Sequence, residues 1–299
     1  MFTPSVPVAY ILICVASVMF ASQFVFQQRY SKTEGTTVSG SLRFSLYGAI
    51  IQIFLMLALS LAGKGSGLTG FNLPAAGICV LGAINNILCA FFCVKVFESA
   101  DMTMFSIFMM LGGMTLPFIA GLLFFDEEPR ITKFIAFALI AAALFLETGK
   151  ASPVRGKTAL YYAGLFISNG MSGVYAKLNQ SLEQGADTNA YIIMTAAATV
   201  IICSAILLFK GTVKKESIAF LSPKSALLSI VPYIIISSAG SFTLLTALET
   251  LPASVQYPMS TGGTIVISAL ISLIRREKLK PLNFVAVAIS VASAIIIAL

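Results

Sequence analysis

The chain contains no histidine. Imidazole is therefore absent from every mechanism: no histidine-ligated zinc, no Ser-His-Asp triad and no histidine proton relay can be built from it. Charge is scarce too. Lys, Arg, Asp and Glu together make up 10% of 299 residues, against about 25% in a soluble domain. Hydrophobic residues make up 58% and the mean hydropathy is +0.95, which excludes an ordinary soluble protein. No Asp or Glu falls near the middle of an apolar run; Glu98, Glu147 and Glu249 stand at run ends and Asp101 in a link. A proton-coupled antiporter usually needs a titratable group exposed alternately to the two sides, so gradient-driven movement or exchange fits this composition better. The five cysteines, Cys14, Cys79, Cys89, Cys93 and Cys203, lie in apolar runs without a CxxC pair, as small packing residues do and metal ligands do not. Met1 to Ser5 carry no basic cluster, and no A-x-A-like cleavage signal follows, so the first apolar run reads as a retained helix.

What the chain does have is apolar length. A hydrocarbon core about 30 Å thick needs roughly 20 apolar residues per helix. Runs bounded by charge, Gly and Pro predict ten spans, near residues 6–27, 36–61, 73–97, 102–125, 131–148, 157–178, 188–209, 225–248, 252–274 and 281–299. The expected fold is an all-α polytopic membrane protein with one integral domain, its short links making neighbouring helices antiparallel. The net charge of +7 resides almost entirely in those links. It reads as membrane topology and not as a nucleic-acid surface.

Sliding the chain by 150 residues places Gly112 and Gly113 on Gly262 and Gly263, Leu123 on Leu273, and Glu127 on Glu277. The match continues with Phe134 on Phe284, Ala136 on Ala286, Ala138 on Ala288 and Ala142 on Ala292. A five-helix unit present twice, 1–149 and 150–299, is the expectation. Five is odd, so the second copy enters the bilayer from the opposite side, which gives an inverted-topology repeat with a substrate site near the midplane.

The segment from Ala247 to Ala286, ALETLPASVQYPMSTGGTIVISALISLIRREKLKPLNFVA, resembles the drug/metabolite transporter superfamily and, within it, the EamA family. Glu277, Leu279 and Ala286 occupy the E-x-L positions and the small residue about nine positions on. Glu127, Pro129 and Ala136 form a weaker first-half version, and SLRFSLYGA around Arg43 matches the arginine pattern of the second span. The first half departs at FFDEEPR, where Asp126 replaces the usual Gly. The resemblance implies the ten-span, two-repeat layout, transport, and cytoplasmic termini. Charge counting points the other way. The links after spans 1, 3, 5, 7 and 9 hold 14 Lys and Arg, and the alternate links and ends hold 4, with Arg43 set aside. The positive-inside rule then puts both termini outside.

Polar residues inside spans each need a partner or a task. Arg43, about seven residues into the second span, either faces a cavity, binding an anionic group or a carboxylate, or snorkels to the interface. Ser254, Tyr257, Thr261, Thr264 and Ser268 share one face of the ninth span, which lines a cavity or packs against a helix. Thr103, Ser106, Gly113 and Pro117 form its counterpart in the fourth. Asn85 and Asn86 in the third span and Asn169 in the sixth are the stronger candidates for a path, with Gln23, Gln27 and Tyr175 behind them. Pro117, Pro232 and Pro258 can kink their spans. Ala138 with Ala142 and Ala288 with Ala292 read as small-residue seams, and Glu127 and Glu277 as interfacial anchors or salt-bridge partners rather than substrate ligands.

The expected function is alternating-access transport of a small metabolite, an amino acid or related carboxylate if Arg43 meets it, by efflux or exchange. A proton-coupled exporter of small molecules or drugs is the alternative. A membrane enzyme lacks a catalytic constellation, and a channel lacks a charged or carbonyl-rich pore ring. The implied partners are the substrate and the lipid of a bacterial plasma membrane. No cofactor or nucleic acid is implied; a monomer suffices, and a homodimer is compatible.

Overall fold

Apolar runs of this length satisfy their backbone polar groups internally only as helices. The computed structural model describes residues 5–34, 37–61, 69–70, 72–98, 102–124, 157–183, 185–214, 224–248, 250, 253–277 and 281–298, and also 131–132, 134–135, 138–139 and 142–143. Among the described residues there is no strand. The helices are α1 (Val6–Glu34), α2 (Val38–Leu61), α3 (Leu73–Val96), α4 (Met102–Phe124), α5 (Lys157–Ser181), α6 (Thr188–Lys214), α7 (Lys224–Leu248), α8 (Ala253–Ile274) and α9 (Pro281–Ala298). The described residues between 131 and 143 are helical; the rest of the expected fifth span lies outside the described residues.

Val6–Thr33, Val38–Leu61, Leu73–Val96, Met102–Gly121 and Asn189–Lys210 are long and apolar enough to cross a bilayer, and shorter apolar helices occupy Ala226–Ser241, Met259–Ile274 and Pro281–Ser293. Ile11, Phe54, Leu160 and Ile201 are exposed on helix flanks, whereas Gln27, Asn85, Thr264 and Ser268 are buried. This inside-out arrangement is that of a helical membrane protein. α5 belongs to neither length class, because Ser168, Asn169, Ser172, Tyr175 and Lys177 interrupt its apolar run.

Local signals set several boundaries. Asn72 caps α3, its Oδ1 accepting from the Ala75 N–H at 2.8 Å, and Pro74 occupies the first turn, where a missing N–H costs nothing. α8 stops where Arg276 takes φ 56°. There the Arg276 N–H donates to Leu273 O at 3.0 Å and the Glu277 N–H to Ser272 O at 2.9 Å, the paired bonds of a Schellman ending with Arg in the place Gly usually takes.

The helices pack in an exchanged order. α1 lies against α7 and α8, α3 against α5 and α6, α4 against α5 and α8, α2 against α6 and α7, and α9 against α8. Exchanging α1 with α5, α2 with α6, α3 with α7 and α4 with α8 maps α1·α7 onto α3·α5, α1·α8 onto α4·α5, and α3·α6 onto α2·α7, while α2·α6 and α4·α8 map onto themselves.

The paired glycines sit at corresponding seams. A Cβ on Gly113 would lie 2.5 Å from Asn169 Nδ2 of α5, and one on Gly263 would lie 2.7 Å from Ser17 Oγ of α1. A Cβ on Gly112 would collide with the Phe166 carbonyl, and Gly173 receives Pro117, so α4 and α5 approach almost to backbone contact. Pro117 thus fills a packing notch.

Both ends of the bundle are tied. Glu277 Oε2 accepts from the Met102 N–H at the start of α4 (3.0 Å) and from Ser272 Oγ (2.9 Å). Arg275 stands 3.6 Å from Glu277 Oε1 and donates to Gln28 Oε1 of α1. Of the two roles expected for Glu277, the salt bridge is the one seen, with Arg275; Glu127 lies outside the described residues. Ahead of α6, Asp187 Oδ2 accepts from the Thr69 N–H (3.2 Å) and Thr69 Oγ1 (2.5 Å).

Candidate functional site

Three helices each turn a periodic face toward one space. On α2 the face carries Ser45, Gly48, Ala49 and Gln52; on α3 Gly82, Asn86, Cys89 and Cys93; on α6 Tyr191, Thr195 and Thr199. Steps of three and four place such residues above one another on a helix. Gln27 of α1, Met109 of α4, Asn169 and Ser172 of α5, and Tyr233 of α7 complete a cavity of about 320 Å³, at the lower end of the ~300–1,000 Å³ range of small-molecule sites. Asn86 and Asn169 lie near the midpoints of α3 and α5.

The wall is neutral: amides, hydroxyls, thiols and aromatic rings, with no charged side chain among the described lining residues. The rings of Tyr30, Phe44 and Tyr233 follow one another in tilted contact, with centroids 4.9 and 5.0 Å apart, and the Tyr30 hydroxyl donates to Gly40 O at 2.7 Å. Asn169 is fixed by donating to Met109 O at 2.6 Å. Among the described residues three lining atoms are buried without a hydrogen-bond partner: Gln27 Oε1, Ser45 Oγ and Thr195 Oγ1. Gln27 is only 2% exposed.

Of the residues expected at a site, Asn86 and Asn169 line the cavity, as does Gln27. Asn85 lies behind it, donating to Ser168 O (2.9 Å) and Ser172 Oγ (3.0 Å), and so positions Ser172, whose hydroxyl reaches Asn86 Oδ1 at 3.5 Å. Gln23 is buried one turn from Gln27, and Thr261 is half-buried on α8; neither is among the lining residues. Arg43 is half-buried beside Phe44 and also outside the lining set. The side chains of Ser254, Tyr257 and Pro258 lie outside the described residues. Thr264 and Ser268 are fully buried in α8, which packs on α1 and α4. Thr103 and Ser106 are likewise buried, with Ser106 Oγ donating to Thr103 O at 2.9 Å.

Sequence reasoning passed over Ser45, Gln52, Ser172, Tyr191, Thr195, Thr199 and Tyr233. A signal existed for most: Tyr191, Thr195 and Thr199 recur every four residues, and Ser45 and Gln52 stand seven apart. The arrangement can bind and orient a small molecule by hydrogen bonds.

No family model matches the chain, and no curated protein matches it. Among solved structures 28 chains match. One is a crystal structure of a protein with 14% sequence identity, aligned over 96% of this chain and 96% of that chain with a TM-score of 0.59. At that identity the likeness is one of fold alone.

Proposed function

We propose that the chain is a secondary transporter that carries a small polar metabolite across the membrane by alternating access, through efflux or exchange. The observation that carries this reading is the cavity with a neutral, polar lining, to which seven helices of the bundle contribute. In lipid such polar groups are costly unless they line a path or a site. The exchanged packing order and the matching glycine seams at Gly113 and Gly263 support two five-helix halves, and a site at their interface is where such repeats bind substrate. The EamA-like segment around Glu277 agrees with that layout. On this reading the protein is a multi-pass protein of a bacterial plasma membrane.

Counterflow in proteoliposomes tests it. Vesicles preloaded with unlabelled substrate are expected to accelerate uptake of the labelled compound, with saturation. Uptake that is indifferent to preloading and does not saturate indicates a channel, and none above protein-free vesicles for any compound bound by the purified protein rejects transport.

A further inference from the structure

We infer that the cavity takes uncharged molecules bearing hydrogen-bond donors, and rejects carboxylates, ammonium ions and zwitterions. This inference rests on the transport reading and deepens it. An ion brought into a buried cavity needs a counter-charge, because desolvation outweighs what neutral dipoles return. The described wall offers none. Arg43, the guanidinium that would have favoured a carboxylate, is not part of that wall, and the wall holds no acid to receive an ammonium group.

The donor preference comes from Gln27 and Ser45. Buried polar atoms are nearly always hydrogen-bonded, and one left unpaired asks for an explanation. Gln27 Oε1 has no donor among the described residues although the residue is only 2% exposed, and it borders the cavity. Ser45 Oγ on α2 and Thr195 Oγ1 on α6 are likewise buried without a partner among the described residues. A ligand N–H or O–H completes the first and a ligand acceptor or donor the two hydroxyls. Phe44, Cys89, Cys93 and Met109 supply an apolar wall beside them, so the fitting molecule has a polar edge and an apolar part. An amide or a polyol derivative meets these conditions; its ionised isostere does not.

The test uses the purified full-length protein and matched pairs: nicotinamide with nicotinate, benzamide with benzoate and with benzylamine, and uridine with uridine 5′-phosphate, each at 10 mM. Neutral members are expected to raise the apparent Tm and to slow N-ethylmaleimide modification of Cys89, read by peptide mass mapping in the wild type. Occupancy at ten times Kd slows it about tenfold. Gln27→Met keeps the volume and removes the amide, and is expected to weaken neutral binding about tenfold. Stabilisation by the charged members equal to or greater than that by the neutral ones overturns the inference, as does protection by neither set, or Gln27→Met binding unchanged. If that variant does not fold, the wild-type modification rates decide alone. Saturable counterflow of a charged member sinks the inference and leaves transport standing. Neutral protection of Cys89 without counterflow does the reverse.

Discussion

Asn85 and Asn86 are adjacent in sequence and have different surroundings. One residue turns a helix by about 100°, enough to send Asn86 to the cavity and Asn85 to Ser168 and Ser172 of α5. Asn85→Leu is expected to lower thermal stability by about 1–3 kcal/mol, because it removes two hydrogen bonds and leaves Ser168 and Ser172 to find other partners. Asn86→Leu should leave stability nearly unchanged and weaken ligand binding, read by titration. Arg276 offers a separate test. It holds a left-handed φ of 56°, which costs a non-glycine residue roughly 1–2 kcal/mol; Arg276→Gly should be neutral or stabilising in thermal unfolding, and Arg276→Val destabilising. The sequence made the amides visible as intramembrane polar groups. It did not set the rotational phase of α3, and phase alone separates a ligand-facing amide from a helix clamp. Arg43 illustrates the same limit, since its neighbours Phe44 and Ser45 line the cavity and it does not.

Hydropathy is enough to locate most helices, since an apolar run of bilayer length has few other stable forms, but the way they pack depends on small residues. Gly112→Ala places a methyl against the Phe166 carbonyl and should separate α4 from α5 at a cost of about 1–3 kcal/mol. Gly77 has nothing within 4 Å of its would-be Cβ, so Gly77→Ala should instead stabilise α3 by up to about 1 kcal/mol. Thermal unfolding of the two variants side by side checks both signs. The tie at the end of α8 yields a graded series. Glu277→Gln keeps an acceptor for the Met102 N–H and loses the ion pair with Arg275, while Glu277→Ala loses both; the expected order of stability is wild type, Gln, then Ala. The glycine pairs were legible as a sequence match at a spacing of 150 residues. Their partners, Asn169 and Ser17, were not, because which helices meet is a property of the packing and leaves no trace in either run alone.

Across the molecule, the exchange of α1 with α5, α2 with α6, α3 with α7 and α4 with α8 gives physical meaning to the sequence match at 150 residues. On the proposed two-repeat layout each half supplies helices that the other packs against, with the cavity between them. Link charge makes a further prediction at this scale: both termini face outward, so a cysteine introduced near the C-terminus should be modified by an impermeant reagent in intact cells, and modification only after lysis would reverse the orientation. Alternating access requires one cavity that is reached in turn from both sides of the membrane. Its most direct test is modification of the native Cys89 by a membrane-impermeant methanethiosulfonate added to one side or the other of sealed vesicles, with the site read by peptide mapping. The account predicts modification from either side, slowed by a transported compound; modification from one side only, whatever compound is present, would contradict it.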